Sequence, residues 1–285
     1  MRGVGGPASR RGGEGGGGGG GGGGVPPVHE LPLGGWCVVV TRPEAAGGPL
    51  GAKLAAHGAA VCHWPVVRIL PPADPGPLEK ALASLARYDW IVFSSPRAVD
   101  AVTDRVDRFP DGLRVAAVGD STAESLRAAN WPVDVTPKQF GGEGLVEALA
   151  EHDLAHGARI LFPAGSIARP TIPDGLTGLG AQVDRVVAYE TTPSSLDKRV
   201  CVEDIESGCV DAVTFASPST VVGLQRVLGR DTFGRILERI PAVAIGPTTA
   251  AALERTGVSP AAVASPSTLD GLVDAVVTVF NEGSN

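Results

Sequence analysis

Apolar residues in this chain gather into short runs, at 37–41, 61–64, 90–93 and 114–118, with little polar alternation inside them. Runs of that length predict strands covered on both faces. Between them, 44–57, 77–87, 96–106, 121–130 and 142–150 carry apolar residues at helical spacing, as with Leu50, Leu54 and Ala55, or Leu145, Val146 and Leu149. Strands alternating with helices of this length predict parallel sheets flanked by helices, an α/β class.

The pattern also repeats. Gly35-Trp36-Cys37-Val38-Val39-Val40 overlays Gly157-Ala158-Arg159-Ile160-Leu161-Phe162 at a shift of 122, and Gly58-Ala59-Ala60-Val61 overlays Gly180-Ala181-Gln182-Val183 at the same shift. Tyr88 through Pro96 then overlays Val210 through Pro218 without a gap. After a five-residue insertion the shift becomes 127, and Ala117-Val118-Gly119-Asp120-Ser121-Thr122-Ala123 meets Ala244-Ile245-Gly246-Pro247-Thr248-Thr249-Ala250. Agreement in motif, order and spacing over so long a stretch predicts an internal duplication and two similar halves.

Composition alters this picture at one end. Of 40 glycines, 17 fall in residues 1–35, including an unbroken run from Gly15 to Gly24, so 1–35 is expected to be a disordered leader. It has no apolar core of the kind a secretory signal needs, and cytoplasm is the expected location. No 18-residue apolar run exists, which argues against a membrane helix. A net charge of −7 without a Lys/Arg cluster argues against a nucleic-acid binder. Cys37, Cys62, Cys201 and Cys209 form no CxxC pair and read as structural thiols; no metal site is expected.

Two kinds of strand-to-helix turn occur once in each half. In Phe93-Ser94-Ser95-Pro96 and Phe215-Ala216-Ser217-Pro218, serine suits the N-cap and proline the first helical position, which accounts for both by local structure alone. In Val118-Gly119-Asp120-Ser121-Thr122 and Ile245-Gly246-Pro247-Thr248-Thr249, glycine permits a sharp turn and close ligand approach, and hydroxyl residues open the next helix. These turns are either plain capped starts or anion sites, since a helix N-terminus presents free N–H groups. Their placement at matching strand ends favours the second, ligands in such sheets lying beyond the carboxyl ends of the strands. Neither turn continues as a phosphate loop or a GxGxxG fingerprint, and no GxSxG elbow exists.

The ordered set Val40-Thr41-Arg42-Pro43, Asp89-x-x-Val92-Phe93-Ser94-Ser95-Pro96, Ala117-Val118-Gly119-x-x-Thr122-Ala123, Pro137-x-x-Phe140-x-x-Glu143-Gly144-Leu145, Val187-Ala188-Tyr189-Glu190-Thr191, Asp211-x-Val213-Thr214-Phe215-x-Ser217-Pro218 and Ile245-Gly246-Pro247-Thr248-Thr249 resembles the uroporphyrinogen-III synthase family over roughly 36–280. The resemblance implies two similar doubly wound, Rossmann-like α/β/α domains with parallel sheets and exchanged segments: 36–66 with 190–285, and 67–189, joined by a two-stranded hinge. It implies a cyclising hydro-lyase that converts hydroxymethylbilane into uroporphyrinogen III with inversion of the last ring, acting as a monomer without cofactor and meeting hydroxymethylbilane synthase at most transiently. It marks Tyr189 as the candidate proton donor to the departing hydroxyl, with a tyrosine merely packed at the domain junction as the other reading. Arg42, Ser94, Ser95, Gly119, Thr122, Arg169, Ser217, Gly246, Thr248 and Thr249 are the candidate substrate contacts, Arg42 being equally readable as a surface residue. Arg42, Arg97, Lys138 and Arg169 are expected to make one electropositive cleft on an acidic body. A non-catalytic two-domain hinge protein that closes on a small anionic ligand is the alternative reading of the same features.

Overall fold

The computed structural model describes residues 30–283 apart from 140, 153 and 155. Its strands are β1 (Cys37–Val40), β2 (Ala60–His63), β3 (Val67–Leu70), β4 (Trp90–Phe93), β5 (Arg114–Ala117), β6 (Arg159–Gly165), β7 (Gln182–Pro193), β8 (Ala212–Phe215), β9 (Ala242–Ala244) and β10 (Ala262–Val263). Its helices are α1 (Pro49–Ala56), α2 (Gly76–Ala83), α3 (Pro96–Thr103), α4 (Asp120–Ala128), α5 (Gly142–Glu151), α6 (Thr171–Gly178), α7 (Lys198–Glu206), α8 (Pro218–Leu228), α9 (Arg230–Leu237), α10 (Pro247–Glu254) and α11 (Leu269–Gly283).

The strands make two five-stranded sheets, in the orders β10-β9-β8-β1-β2 and β3-β7-β6-β4-β5. Each is covered on both faces, which is why its strands read as unbroken apolar runs. In the first sheet Val39, Val213 and Phe215 enter one core while Val38, Val40 and Ala212 enter another. In the second, Ile91 and Phe93 face one core and Trp90 and Val92 the other. Two three-layer α/β/α units of Rossmann type result.

The duplication is written into the hydrogen bonds. Asp211 Oδ2 accepts the Cys37 N–H at 2.7 Å, and Asp89 Oδ2 accepts the Arg159 N–H at 2.8 Å. Asp89 and Asp211 are repeat equivalents, as are Cys37 and Arg159, so each half's aspartate holds the start of the other half's strand. Two buried threonines in the first sheet are satisfied in the same crossed manner: the Thr41 hydroxyl donates to the Thr214 carbonyl and the Thr214 hydroxyl to the Val39 carbonyl, both at 2.7 Å. Buried hydroxyls need such partners.

Between the sheets the chain passes twice. The first passage is Trp64–Val66. There Gly223 of α8 lies so close to Val66 that a Cβ would come within 2.8 Å of it. The second passage follows Pro193, and the Ser194 N–H donates to the Val66 carbonyl at 3.1 Å. Just beyond, β3 pairs with the end of β7 antiparallel, with Ile69 opposite Thr191. The purely parallel sheet expected from the strand and helix pattern is therefore corrected to a mixed one. Ile69 and Thr191 are themselves 122 apart, so the pseudo-twofold axis relating the halves runs through this pair.

Residues 1–29 of the expected leader lie outside the described residues. Its last part is folded, contrary to expectation: Leu33 is fully buried beside Val38 and Leu54, and its N–H donates to the His57 carbonyl at 2.8 Å. Trp36, immediately after it, stacks on Phe280 at 4.3 Å. Burying a leucine of this kind is worth roughly 1.5–3 kcal/mol, enough to hold a chain end in place.

Candidate active site

Ser95 takes the extended backbone of an N-cap (φ −165°, ψ 152°), and the Ala98 N–H donates to its Oγ at 3.3 Å. Pro96 opens α3 with its φ already set. The same Oγ lies 3.1 Å from the Tyr189 hydroxyl, a contact between residues 94 positions apart.

Tyr189 reaches Ser95 through an irregularity in β7. Ala164 pairs with Val187, but Gly165 pairs with Tyr189, so β7 carries one extra residue at this point. Regular alternation would send Ala188 and Tyr189 to opposite faces; the bulge turns both toward the core containing Phe93 and Val99. Gly165 completes the seat. A Cβ there would lie 2.8 Å from Cε2 and Cζ of the ring and 2.9 Å from the hydroxyl, so the ring rests against bare backbone.

Two adjoining hollows lie at this edge. The larger, about 380 Å³, is lined by residues including Pro43, Pro65, Arg68 and Arg97; the smaller, about 230 Å³, by Arg97, Asp100, Arg105, Ala188 and Tyr189. Ile69, Leu70 and Arg97 belong to both. Arg97 Nη2 also makes a long contact, 3.5 Å, with the Pro43 carbonyl across the gap. Burial pushes the Asp100 carboxyl above its ordinary pKa, with Asp104 adding to the effect and Arg97 opposing it.

Arg42 is held rather than open. Its Nε lies 3.1 Å from Glu44 Oε2, and the Glu44 carboxylate accepts the Gly51 N–H at 2.8 Å and the Leu50 N–H at 3.3 Å, capping α1. Burial lowers the Arg42 pKa from the ordinary arginine value, and neighbouring Arg97 acts the same way against Glu44. Arg42 and Arg97 thus form a cationic pair, whereas Arg169 and Lys138 are exposed and line neither hollow.

The remaining candidates divide between backbone and side chain. Ser94 is half-buried beside Ser95, and Gly119 is half-buried at the end of the neighbouring β5. Thr122 and Thr249, expected to offer hydroxyls, are only 1 % and 3 % exposed, because the third residue of an amphipathic helix turns toward the sheet; Thr248 is exposed. Gly246 was expected to leave room for a ligand, but a Cβ there would collide with the Ser267 side chain. The N-cap residues of α4, α8 and α10 make no side-chain cap hydrogen bond, and the N–H of the third residue of each helix donates to the N-cap carbonyl instead.

Ser217, the equivalent of Ser95, has the same extended backbone, but its hydroxyl meets Ser219 at 2.8 Å. At the places equivalent to Tyr189 and Gly165 stand Val67 and Pro43. The tyrosine seat is therefore built in one sheet only. Gly165, Arg68 and Arg105 carry no local sequence signal and emerge from the topology alone.

A family model described as uroporphyrinogen-III synthase HemD matches residues 49–274. The chain is 32 % identical over 258 residues to the uroporphyrinogen-III synthase of Synechococcus elongatus, covering 87 % of this chain and 96 % of that one. This chain belongs to the uroporphyrinogen-III synthase family. Similarity extends to the synthase of Chlorobaculum parvum, 28 % identical over 229 residues, covering 78 % of this chain and 89 % of that one. A crystal structure of a mutant uroporphyrinogen III synthase from Thermus thermophilus shares the fold with a TM-score of 0.62 at 20 % identity, covering 87 % of this chain and 99 % of that one. One from Helicobacter pylori does so at 0.51 and 15 %, with 86 % and 99 % covered. Membership in this synthase family places the tyrosine seat within a lyase family of tetrapyrrole synthesis. Among the described residues no helix is long and apolar enough to cross a membrane, and no group of three or more His, Cys, Asp or Glu is placed to hold a metal ion.

Proposed function

We propose that this chain cyclises hydroxymethylbilane to uroporphyrinogen III, a hydro-lyase reaction with inversion of the terminal ring. The observation that carries the reading is the Tyr189 hydroxyl, set 3.1 Å from Ser95 on the wall of a hollow that also holds Arg97 and Arg105.

The chemistry asks mainly for geometry. Tyr189 donates its proton as the C–O bond of the substrate's hydroxymethyl group breaks, so the hydroxyl departs as water and a cationic methylene-pyrrole remains. The tyrosine oxygen left behind carries the opposite charge beside that cation, which fixed groups stabilise better than mobile water does. The terminal ring then attacks through its substituted carbon to give a spiro centre. The older bond from that carbon to its bridging methylene breaks, and that methylene bonds instead to the ring's free α-carbon, which loses its proton and leaves the ring inverted. The pyrrole proton released at the end returns to Tyr189, so the net change is the loss of one water.

Cyclisation without inversion occurs unaided, so the protein must hold the linear substrate in the less accessible arrangement, a positioning effect. Arg97, Arg68 and Arg105, with the N-termini of α4, α8 and α10, are the cationic and N–H groups for the substrate's eight carboxylates. We further propose 36–66 with 190–285 as one domain and 67–189 as the other, closing on the substrate about the two passages of chain between them. The decisive experiment supplies freshly made hydroxymethylbilane and separates the oxidised products. The III isomer is expected; a product containing only the I isomer from well-folded protein overturns the proposal.

A further inference from the structure

We infer that Ser95 is a positioning residue that makes Tyr189 a proton donor: its hydroxyl donates to the tyrosine oxygen and so leaves the tyrosine's own proton pointing into the hollow. The inference rests on the proposed synthase activity and assigns the direction of one hydrogen bond within it.

Counting defines two arrangements, and the reaction selects between them. A serine hydroxyl has one proton to give and two lone pairs with which to accept. One lone pair of Ser95 is occupied by the Ala98 N–H at 3.3 Å, a bond the N-cap backbone fixes. The contact with Tyr189 at 3.1 Å takes either the serine proton or the second lone pair. If Tyr189 donated, its proton would be consumed inside the protein and the serine proton would have no partner among the described residues. If Ser95 donates, the serine proton is the one used and the tyrosine proton is left free on the side of Arg97 and Arg105.

Only the second arrangement improves as the reaction proceeds. When Tyr189 gives up its proton its oxygen becomes anionic, and a hydrogen bond donated to an anion is about twice as strong as a neutral one. Gly165 keeps the ring from rotating out of that bond, since the ring lies flat on its backbone. The other half of the duplication provides the contrast: Ser217 has the same N-cap backbone, but its hydroxyl goes to Ser219, and Val67 stands where the tyrosine would be.

The test is a double-mutant cycle on the full chain with hydroxymethylbilane. Ser95→Ala is expected to lower kcat roughly 10- to 100-fold, the range for a hydrogen bond to a charged group, with KM changed less than about threefold. In a Tyr189→Phe background the same change is expected to cost less than about twofold, because the group it acts through is gone. Ser95→Asp keeps a helix-capping oxygen but has no proton to donate when ionised, and is expected to be as slow as Ser95→Ala. Ser95→Thr, which caps and donates, is expected to restore most of the lost rate. Equal losses from Ser95→Ala in both backgrounds, or a fast Ser95→Asp, overturn the inference and assign Ser95 to capping α3. The synthase reading fails separately, if the wild-type chain yields only the I isomer.

Discussion

Replacing Gly165 by alanine puts a methyl group where the Tyr189 ring now lies. The new Cβ would sit 2.8 Å from Cε2 and Cζ and 2.9 Å from the hydroxyl oxygen. Carbon atoms settle at about 3.5–4.0 Å, so the ring must retreat by roughly 0.7–1.2 Å. Gly165 is not in the left-handed region, so the backbone accepts alanine and the ring is the obstacle. A retreat of that size carries the 3.1 Å contact with Ser95 beyond hydrogen-bond range. Misplacing a reacting group by about 1 Å costs on the order of 100-fold in rate, while crowding of this kind costs about 1–3 kcal/mol of stability. The assay is kcat on hydroxymethylbilane with the III:I product ratio, beside a thermal melt. The expected result is a folded protein with kcat down about 100-fold and a product shifted toward the I isomer. Gly178→Ala in α6, where an added methyl meets nothing within 4 Å, is the control. Wild-type kcat for Gly165→Ala at an unchanged melting temperature would refute the claim that ring placement governs the rate.

Arg97→Gln removes the charge shared by both hollows and is expected to raise KM for hydroxymethylbilane about tenfold, the effect of one charged hydrogen bond, and to flatten the dependence of KM on salt; an unchanged KM rejects the carboxylate role. Asp211→Ala is expected to cost about 1–3 kcal/mol in urea unfolding, as a part-buried N–H of Cys37 loses its acceptor, and Asp89→Ala about 0.5–1.5 kcal/mol, since the Arg159 N–H is exposed. The reverse order contradicts the burial argument. Burial, followed by the charge of Asp204, pushes the Cys201 thiol from an ordinary value near 9 up to about 12. A raised folded-state pKa stabilises the protonated form, so this contribution is complete below pH 9 and is lost as pH rises toward about 12. Urea midpoints should therefore fall between pH 8 and pH 10.5 more steeply in the wild type than in Cys201→Val, and parallel curves exclude the effect.

Much of the fold is legible because the same architecture, built twice, asks for the same residues twice. Asp89 and Asp211 repeat because each does the same backbone work in its sheet. What is hidden arises where the halves differ or meet. The antiparallel pairing of β3 with β7 joins equivalents across the pseudo-axis, and no local pattern in Val67–Leu70 distinguishes it from another parallel strand. Leu33 follows a glycine-rich stretch, so its neighbours conceal a core residue. At the site, Ser95 and Tyr189 are visible as single residues, but their meeting depends on a bulge that hydrophobic alternation does not report. Gly165 looks like any turn glycine. Thr122 and Thr249 show the opposite failure: helix geometry turns inward hydroxyls that composition alone assigns to a ligand. Arg42 reads as a free cation because its partner Glu44 is engaged through the start of α1, six and seven residues further on.

The crossed aspartate bonds also set a timetable for synthesis. All strands of the second sheet lie within one continuous stretch, β3 to β7, whereas β1 and β2 cannot complete theirs until β8 has been made. At about 5–20 residues per second, the intervening chain takes roughly ten to thirty seconds to emerge. During that interval Val38, Val39 and Val40 have an open edge on the β8 side, and by its end, before β8 emerges, the tyrosine seat, confined to residues 95–189, has all its parts. The nascent protein thus acquires every strand of the sheet that carries Tyr189 before the sheet that carries Val38–Val40 can close.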